Sequence, residues 1–282
     1  MTTVAVVSPG FMGAGLGGAL LAGGARVVAT VEGRSARTRR LAEQAGLELL
    51  PSLADVLAAA DVVLSVTPPA GAVAAAEAIA ASVAAAARDG VVVADLNAVS
   101  PTTMAKIAGA LDGVRLVDGS ISGPPPSAEP GARIYLSGPD AGTVAALPWA
   151  GLVEPVVIGD RIGSASALKM CTGSVYKGLT ALVTQAMRTA GAYGVLDGVV
   201  ADLEHNGLAQ TGGVARSATK ARRFVDEMRE VADTQAAAGL TPDLFAAIAA
   251  VYEDISGTRL ASGDPEASRE LTADEVVRLL GE

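Results

Sequence analysis

Val4-Ala5-Val6-Val7-Ser8-Pro9-Gly10-Phe11-Met12-Gly13-Ala14-Gly15 is the stretch whose reading decides the fold. Val4 to Val7 has the composition of a buried parallel strand, a Gly/Pro turn follows at once, and Leu16 to Leu21 continues as an apolar helix. In such a strand–turn–helix unit the glycines let backbone approach a phosphate. The unpaired N–H groups at the helix start, together with the helix dipole, favour a negative charge there. The spacing G-x-G-x-x-G falls on Ser8 to Gly13, with Ser8 standing where the first glycine is expected. An ordinary glycine-rich turn reads the same way, and it is the position between a strand and a helix that points to a dinucleotide. On this reading Pro9, Gly10, Phe11, Met12 and Gly13 hold the cofactor.

Working outward, 282 residues suffice for one large or two medium domains. Half the residues are apolar and the mean hydropathy is +0.42, but much of this is alanine, which contributes little transfer energy. The most apolar segment, Ala70 to Ala87, is interrupted by Glu77, which predicts a buried or half-buried helix and no membrane span. No basic, apolar leader stands at the N-terminus, so the cytoplasm is the expected compartment. The single cysteine, Cys171, has no internal disulfide partner, and the single histidine, His205, has no companion for a metal site. A net charge of −9 speaks against a nucleic-acid surface.

From Val4 to about Ile158 short β-branched runs alternate with Ala-rich helical stretches, the pattern of βα units on a parallel sheet. The predicted strands are Val4–Val7, Arg26–Val31, Leu47–Leu50, Asp61–Val66, Val91–Ala94, Arg115–Val117, Arg133–Leu136 and Val153–Ile158. After Gly163 only helical segments remain, roughly Ser164–Ala192, Ser217–Ala238, Pro242–Ser256 and a last weak helix over Ala273–Leu280. The domain boundary is therefore expected near Gly159 to Gly163, giving an α/β cofactor domain over 1–161 and an all-α substrate and dimerisation domain over 162–282. The first long helix would span about 43 Å, more than the helices after it can cover, which predicts a homodimer built through this half of the chain.

Polar residues just past the strand ends are the candidate ligands. After the second strand come Glu32-Gly33-Arg34-Ser35-Ala36-Arg37-Thr38. An acidic residue here suits the ribose hydroxyls of NAD, whereas Arg binds a 2′-phosphate bidentately, so Gly33, Arg34, Ser35 and Thr38 predict NADP. Basic residues in a first helical turn oppose the helix dipole unless an anion is present. Val66-Thr67-Pro68 follows the fourth strand and Asn97 the fifth, both at the edge where open α/β sheets bind ligands. Asp118-Gly119-Ser120-Ile121-Ser122-Gly123-Pro124-Pro125-Pro126 reads as a stiff loop with glycines and hydroxyls that offers backbone N–H groups to a carboxylate. Lys169, Gly173, Tyr176 and Lys177 share one face of the long helix. A lysine among such apolar neighbours is costly to bury unless paired, or else it snorkels to solvent.

These motifs resemble the β-hydroxyacid dehydrogenase superfamily, which includes 6-phosphogluconate dehydrogenase, 3-hydroxyisobutyrate dehydrogenase and the imine reductases. Within it the chain is most similar to the group carrying a C-terminal domain of unknown function, DUF1932. The family's glycine turn falls on Gly10, Met12 and Gly13, and its NADP-type pair on Arg34-Ser35. Its Asp-x-Ser-Thr-x-x-Pro segment falls on Asp95 to Pro101, with Asn97 and Ala98 in place of Ser and Thr. The substrate loop Asp-Ala-Pro-Val-Ser-Gly-Gly falls on Asp118 to Pro124, with Pro124 replacing the second glycine. The resemblance implies an N-terminal Rossmann domain with a mostly parallel sheet, an all-α C-terminal domain, and hydride transfer between NADP(H) and a small carboxylate-bearing hydroxy or oxo substrate. It makes Lys169 the general acid/base and assigns Ser122, Gly123 and Pro124 to the substrate. Gly173 stands where those enzymes carry a substrate-holding Asn, and Asp226-Glu227-Met228 where many carry Lys-Asp-Leu. Thr172, Ser174 or Tyr176 would take over from the Asn, with Lys177 close to the substrate. The alternatives are an imine reductase and a non-catalytic NADP-binding protein.

Overall fold

The computed structural model describes residues 1–86, 90–126, 131–208, 211–263 and 271–282. Ala87, the expected end of the Ala-rich helix, lies outside the described residues. The chain divides into two compact units, Met1–Met170 and Cys171–Glu282.

In the first unit the β-branched runs form β1 (Thr3–Val7), β2 (Arg26–Ala29), β3 (Glu48–Leu49), β4 (Val62–Ser65), β5 (Val92–Asp95), β6 (Arg115–Ser122), β7 (Ala132–Ser137) and β8 (Val153–Gly159). Among the described residues these make one sheet in the order β3-β2-β1-β4-β5-β6-β7-β8. Strands from β3 to β6 pair in parallel, but β6 and β7 pair antiparallel, and β8 is parallel to β7. The sheet is thus mostly parallel, as expected, with an antiparallel pairing between β6 and β7. Among the described residues no helix lies between β6 and β7, and a connection too short for a crossover pairs neighbouring strands antiparallel.

Alternate residues of each buried strand serve opposite faces. Val4, Val6, Val27, Val62 and Leu64 join Leu16, Leu20, Ala42, Val144 and Trp149 on one side. These come from α1 (Phe11–Ala22), α2 (Ala36–Gln44), α6 (Ala141–Ala145) and the loop after it. Ala5, Val63 and Val93 join Val56, Leu57, Ile79, Met104 and Ile107 on the other, from α3 (Leu53–Ala59), α4 (Ala72–Ala85) and α5 (Pro101–Ala110). Both faces being covered, the central strands read as nearly continuous apolar runs. The order reverses at β1, which lies between β2 and β4, and this places the end of β1 at the crevice where such sheets bind ligands.

The helix α7 (Ser164–Tyr193) begins in the first unit and continues as the opening element of the second. It ends at Gly194, which takes the left-handed φ of +68° that favours glycine. The second unit then holds α8 (Leu196–His205), α9 (Thr211–Ala218), α10 (Ala221–Ala237), α11 (Asp243–Ser256) and α12 (Ala273–Leu280). Val225, Met228, Val231 and Ala232 of α10 are buried, as are Phe245, Ile248, Tyr252 and Ile255 of α11, each set at helical spacing. Phe224 meets Tyr252 edge to face at 5.3 Å. The helix expected over Ser217–Ala238 begins at Ala221 as α10, with Ser217 at the end of α9. Gly198, Gly212 and Gly213 lower helix propensity in α8 and α9, so both depend on packing for their stability. No helix of the described residues is long and apolar enough to cross a membrane.

Candidate functional site

The β1–α1 turn is built by one left-handed residue and one missing side chain. Ser8 has a φ of +70°, rare outside glycine, and its carbonyl accepts from Gly10 N–H at 2.8 Å. A Cβ at position 13 would lie 2.6 Å from that carbonyl oxygen, so α1 can start this close to β1 only with Gly13. At Gly10, by contrast, a Cβ would meet nothing within 4 Å. The chain itself therefore does not demand that glycine, and open space lies over a helix N-terminus that has no side-chain cap. Pro9 is buried, Met12 half-buried and Phe11 exposed beside it.

Beside the turn, Ser8 lines a hollow with Val7, Thr30, Glu32, Arg34 and Leu53. Gly33 turns the chain at φ +66°, and Arg34 N–H closes the turn on Val31 O at 3.1 Å. The Arg34 guanidinium is exposed and has no ion-pair partner among the described residues. Ser35 caps α2 by accepting from Thr38 N–H at 3.2 Å, and the two hydroxyls lie 3.1 Å apart.

Across the sheet the register aligns Ser65, Asp95, Asp118 and Ser137 on four adjacent strands. All four are essentially buried. Asn97 N–H donates to Asp95 Oδ1 at 3.1 Å, and Asn97 Nδ2 to Asp95 Oδ2 at 2.7 Å and to Ser65 Oγ at 3.3 Å. Its Oδ1 accepts from Thr67 N–H at 2.5 Å. The Asn97 side chain, 2 % exposed, is thereby occupied within the fold and sets the path of Val66, Thr67 and Pro68. Burial pushes the Asp95 carboxyl up to about 7, against the Asn97 N–H and with the help of the Asp118 charge. Thr67 Oγ1 and Ser120 Oγ are buried with no hydrogen-bond partner among the described residues.

The open space over Gly10, the uncapped start of α1, the unpartnered Thr67 hydroxyl and the hollow holding Arg34 are what a dinucleotide needs along one sheet edge: amide donors for its phosphates and polar groups for its ends.

Further along the same edge, Lys169 Nζ donates to Ile121 O at 2.6 Å. Ser122 ends β6, and Gly123 follows at φ +105°, where a Cβ would lie 2.4 Å from Gly131 O. Pro124 is exposed, whereas Pro125 and Pro126 fold back to where a Cβ on Gly15 of α1 would lie 3.1 Å from each. The proline loop thus returns to the helix that carries the glycine turn. The structure brings together Lys169, Ile121, Ser122 and Gly123.

Thr172, Gly173, Ser174, Tyr176 and Lys177 belong to the second unit. Thr172 and Tyr176 are exposed and Gly173 is buried, while Ser174 Oγ donates to Cys171 O at 2.7 Å. Lys177 Nζ lies 2.6 Å from the Glu227 carboxylate and 5.0 Å from the centre of the Phe224 ring. Arg223 shares the same carboxylate at 3.3 Å. This pair was not foreseen from sequence, where 50 positions separate Lys177 from Glu227.

Residues 3–148 match the profile of the NAD binding domain of 6-phosphogluconate dehydrogenase, and residues 190–255 match a domain of unknown function, DUF1932. An uncharacterized 28.5 kDa protein from Methanothermus fervidus is 29% identical over 196 residues, 70% of this chain and 69% of that protein. Among solved structures, a Mycobacterium tuberculosis 3-hydroxyisobutyrate dehydrogenase with L-serine is similar at a TM-score of 0.72, with 19% identity over 99% of both chains. An imine reductase from Myxococcus stipitatus in complex with NAD+ is similar at 0.58, with 20% identity over 90% of this chain and 93% of that one.

The raised Asp95 carboxyl links stability to pH. Between the ordinary aspartate value and about 7, the folded chain holds a proton that the unfolded chain has released, so stability falls as pH rises through this window. The slope for one proton is about 1.4 kcal/mol per pH unit. Asp95→Asn should remove this term, so that the variant gains on the wild type between pH 5 and pH 7.5 in urea unfolding. Parallel pH curves for the two proteins would refute the assignment.

Proposed function

Since the chain belongs to the β-hydroxyacid dehydrogenase superfamily, whose cofactor domain is the NAD binding domain of 6-phosphogluconate dehydrogenase, we propose that it is an NADP-dependent oxidoreductase acting on a small carboxylate-bearing hydroxy or oxo compound. The observation that carries this reading is the Lys169 ammonium on the Ile121 carbonyl, beside Ser122 and Gly123 and on the sheet edge that begins at the glycine turn.

The dinucleotide, when bound, supplies or accepts the hydride. The amides of Gly10, Phe11, Met12 and Gly13 are suited to its phosphates, and Pro9 stiffens the approach to them. Gly33 bends the chain so that Arg34 faces the hollow, where its planar guanidinium is suited to a 2′-phosphate. Ser35 and Thr38 keep α2 started at that point through the cap they form. Val66, Thr67 and Pro68 would hold the nicotinamide end, with Asn97 fixing the Thr67 amide and Thr67 Oγ1 without a partner among the described residues.

Lys169 gives a proton to the substrate oxygen in reduction and takes it back in oxidation. With three N–H donors and one of them held by Ile121 O, its ammonium has a fixed direction. Ser122 and Gly123 receive the substrate carboxylate through the Ser122 hydroxyl and backbone N–H groups, while Pro124, which has no N–H, stiffens the loop beside it. Thr172 and Tyr176 carry hydroxyls on the turns of α7 that follow Lys169. Lys177 Nζ is taken up by Glu227 within the helical unit, and Gly173 has no side chain to stand in for the Asn that the resemblance implies at this position. The exposed Val175, Tyr176, Leu182 and Tyr193 of α7 support a homodimer through the helical unit.

Three expectations test this reading. Arg34→Ala should raise the Kd for NADPH about tenfold or more, the worth of a charge-assisted hydrogen bond, and leave that for NADH nearly unchanged; equal losses would mean that Arg34 does not read the 2′-phosphate. With NADPH and a panel of 2-oxo acids, 3-oxo acids, semialdehydes and cyclic imines, Lys169→Ala should keep cofactor binding and lose about 10²–10⁴ in kcat on the compound that is turned over; an unaltered kcat removes the acid–base role. Sedimentation at micromolar concentration should give a dimer, and Leu182→Glu a monomer.

A further inference from the structure

A carboxylate with no exposure to water is tolerated only where its charge is met by donors, and Asp118, 0 % exposed, is met chiefly by the start of α7. Its Oδ2 accepts from the backbone N–H groups of Gly163 at 2.8 Å, Ala165 at 2.9 Å and Ser166 at 3.1 Å, and from Ser137 Oγ at 3.0 Å. Its Oδ1 accepts from Ser166 Oγ at 2.7 Å. The amides of a helix's first turn have no partner inside the helix, and the dipole there favours an anion. Asp118 therefore does for α7 what a local N-cap does elsewhere, but from a strand 45 positions upstream.

The consequence lies one turn further on. Ala165 and Ser166 stand four and three residues before Lys169, so all three lie on one side of the helix. Lys169 in turn reaches Ile121 O, three residues after Asp118 on the same strand. Helix and strand are thus tied at two points: the carboxylate grips the first turn, and the ammonium lands on the strand's end. A helix start displaced by 1 Å would carry Nζ away from Ile121 O and from the Ser122–Gly123 loop.

We propose that Asp118 is a positioning residue that acts through Lys169, its buried carboxylate locking the first turn of α7 so that the ammonium is held at the end of β6. This rests on the reading of Lys169 as acid/base, but the positioning itself is measurable without any substrate. Asp118→Asn keeps the shape and one acceptor oxygen and removes the charge; Ser166→Ala removes a single hydrogen bond.

The test is acetylation of the lysines of the folded protein by acetic anhydride, followed by peptide mass spectrometry with Lys106 as internal reference. It is combined with amide hydrogen exchange over 163–170 and with NADPH binding. Asp118→Asn should raise the relative reactivity of Lys169 threefold or more and speed exchange at Ala165 and Ser166, with the Kd for NADPH within twofold of wild type. Ser166→Ala should move the same readings in the same direction by less, and it carries the test if Asp118→Asn does not fold. On the panel compound that is turned over, Asp118→Asn should lower kcat about tenfold and cost nothing further in a Lys169→Ala background. Unchanged Lys169 reactivity in either folded variant overturns the proposal, as do losses that multiply in the double variant. An unaltered kcat in Lys169→Ala alone, with the reactivity change present, removes the acid–base reading and leaves the positioning intact.

Discussion

The approach of α1 to the end of β1 is the constraint on which the first unit depends. A Cβ on Gly13 would lie 2.6 Å from the Ser8 carbonyl, a distance that no side-chain carbon tolerates. Its absence lets the helix begin directly over the strand. The same economy recurs along α1: Gly17 leaves room for Leu47, and Gly23 for the Pro148 carbonyl, which would stand 1.8 Å from a Cβ. Because the helix sits so close, its amides face the crevice at the order reversal of the sheet. The proline loop after β6 rests on Gly15 of the same helix.

The second organising feature is the polar row Ser65–Asp95–Asp118–Ser137 at the edge of an otherwise apolar sheet. Two carboxyl groups on adjacent strands, both buried, are kept apart in role by their partners. Asp118 is surrounded by helix amides and serine hydroxyls. Asp95 is met by Asn97 and Ser65 and is pushed up to about 7 by burial. The row converts strand ends into fixed positions for two loops, Val66–Pro68 through Asn97 and the first turn of α7 through Asp118. Buried polar networks of this kind are costly when incomplete, and that cost specifies a single arrangement.

In the helical unit the corresponding feature is Glu227, 6 % exposed, which receives Lys177 and Arg223 while both cations lie over the Phe224 ring. Tyr252 completes the cluster by donating to Lys177 O at 2.8 Å. Lys177 is held by α10 and α11 together, and removal of Glu227 would strand a cation that is only 16% exposed.

The sequence by itself determined the elements of the sheet, the glycine turn and the change to helices after Gly163. Each of these is written in local chemistry: β-branched runs of strand length, a missing Cβ at a turn, helical spacing of apolar residues. It also marked Lys169, Ser122 and Gly123 as a set, through the resemblance of their motifs. Only the tertiary structure decided the direction of β7 and β8, since an apolar run is the same read from either end. The helices α8 and α9 needed it too, because their glycines weaken every local signal. So did the use of the Asn97 side chain within the fold, and the pairings of Asp118 with α7 and of Lys177 with Glu227. The last two pairings join residues 45 and more positions apart, and which partner satisfies a buried charge is set by cross-strand register and helix packing, which no stretch of sequence carries alone.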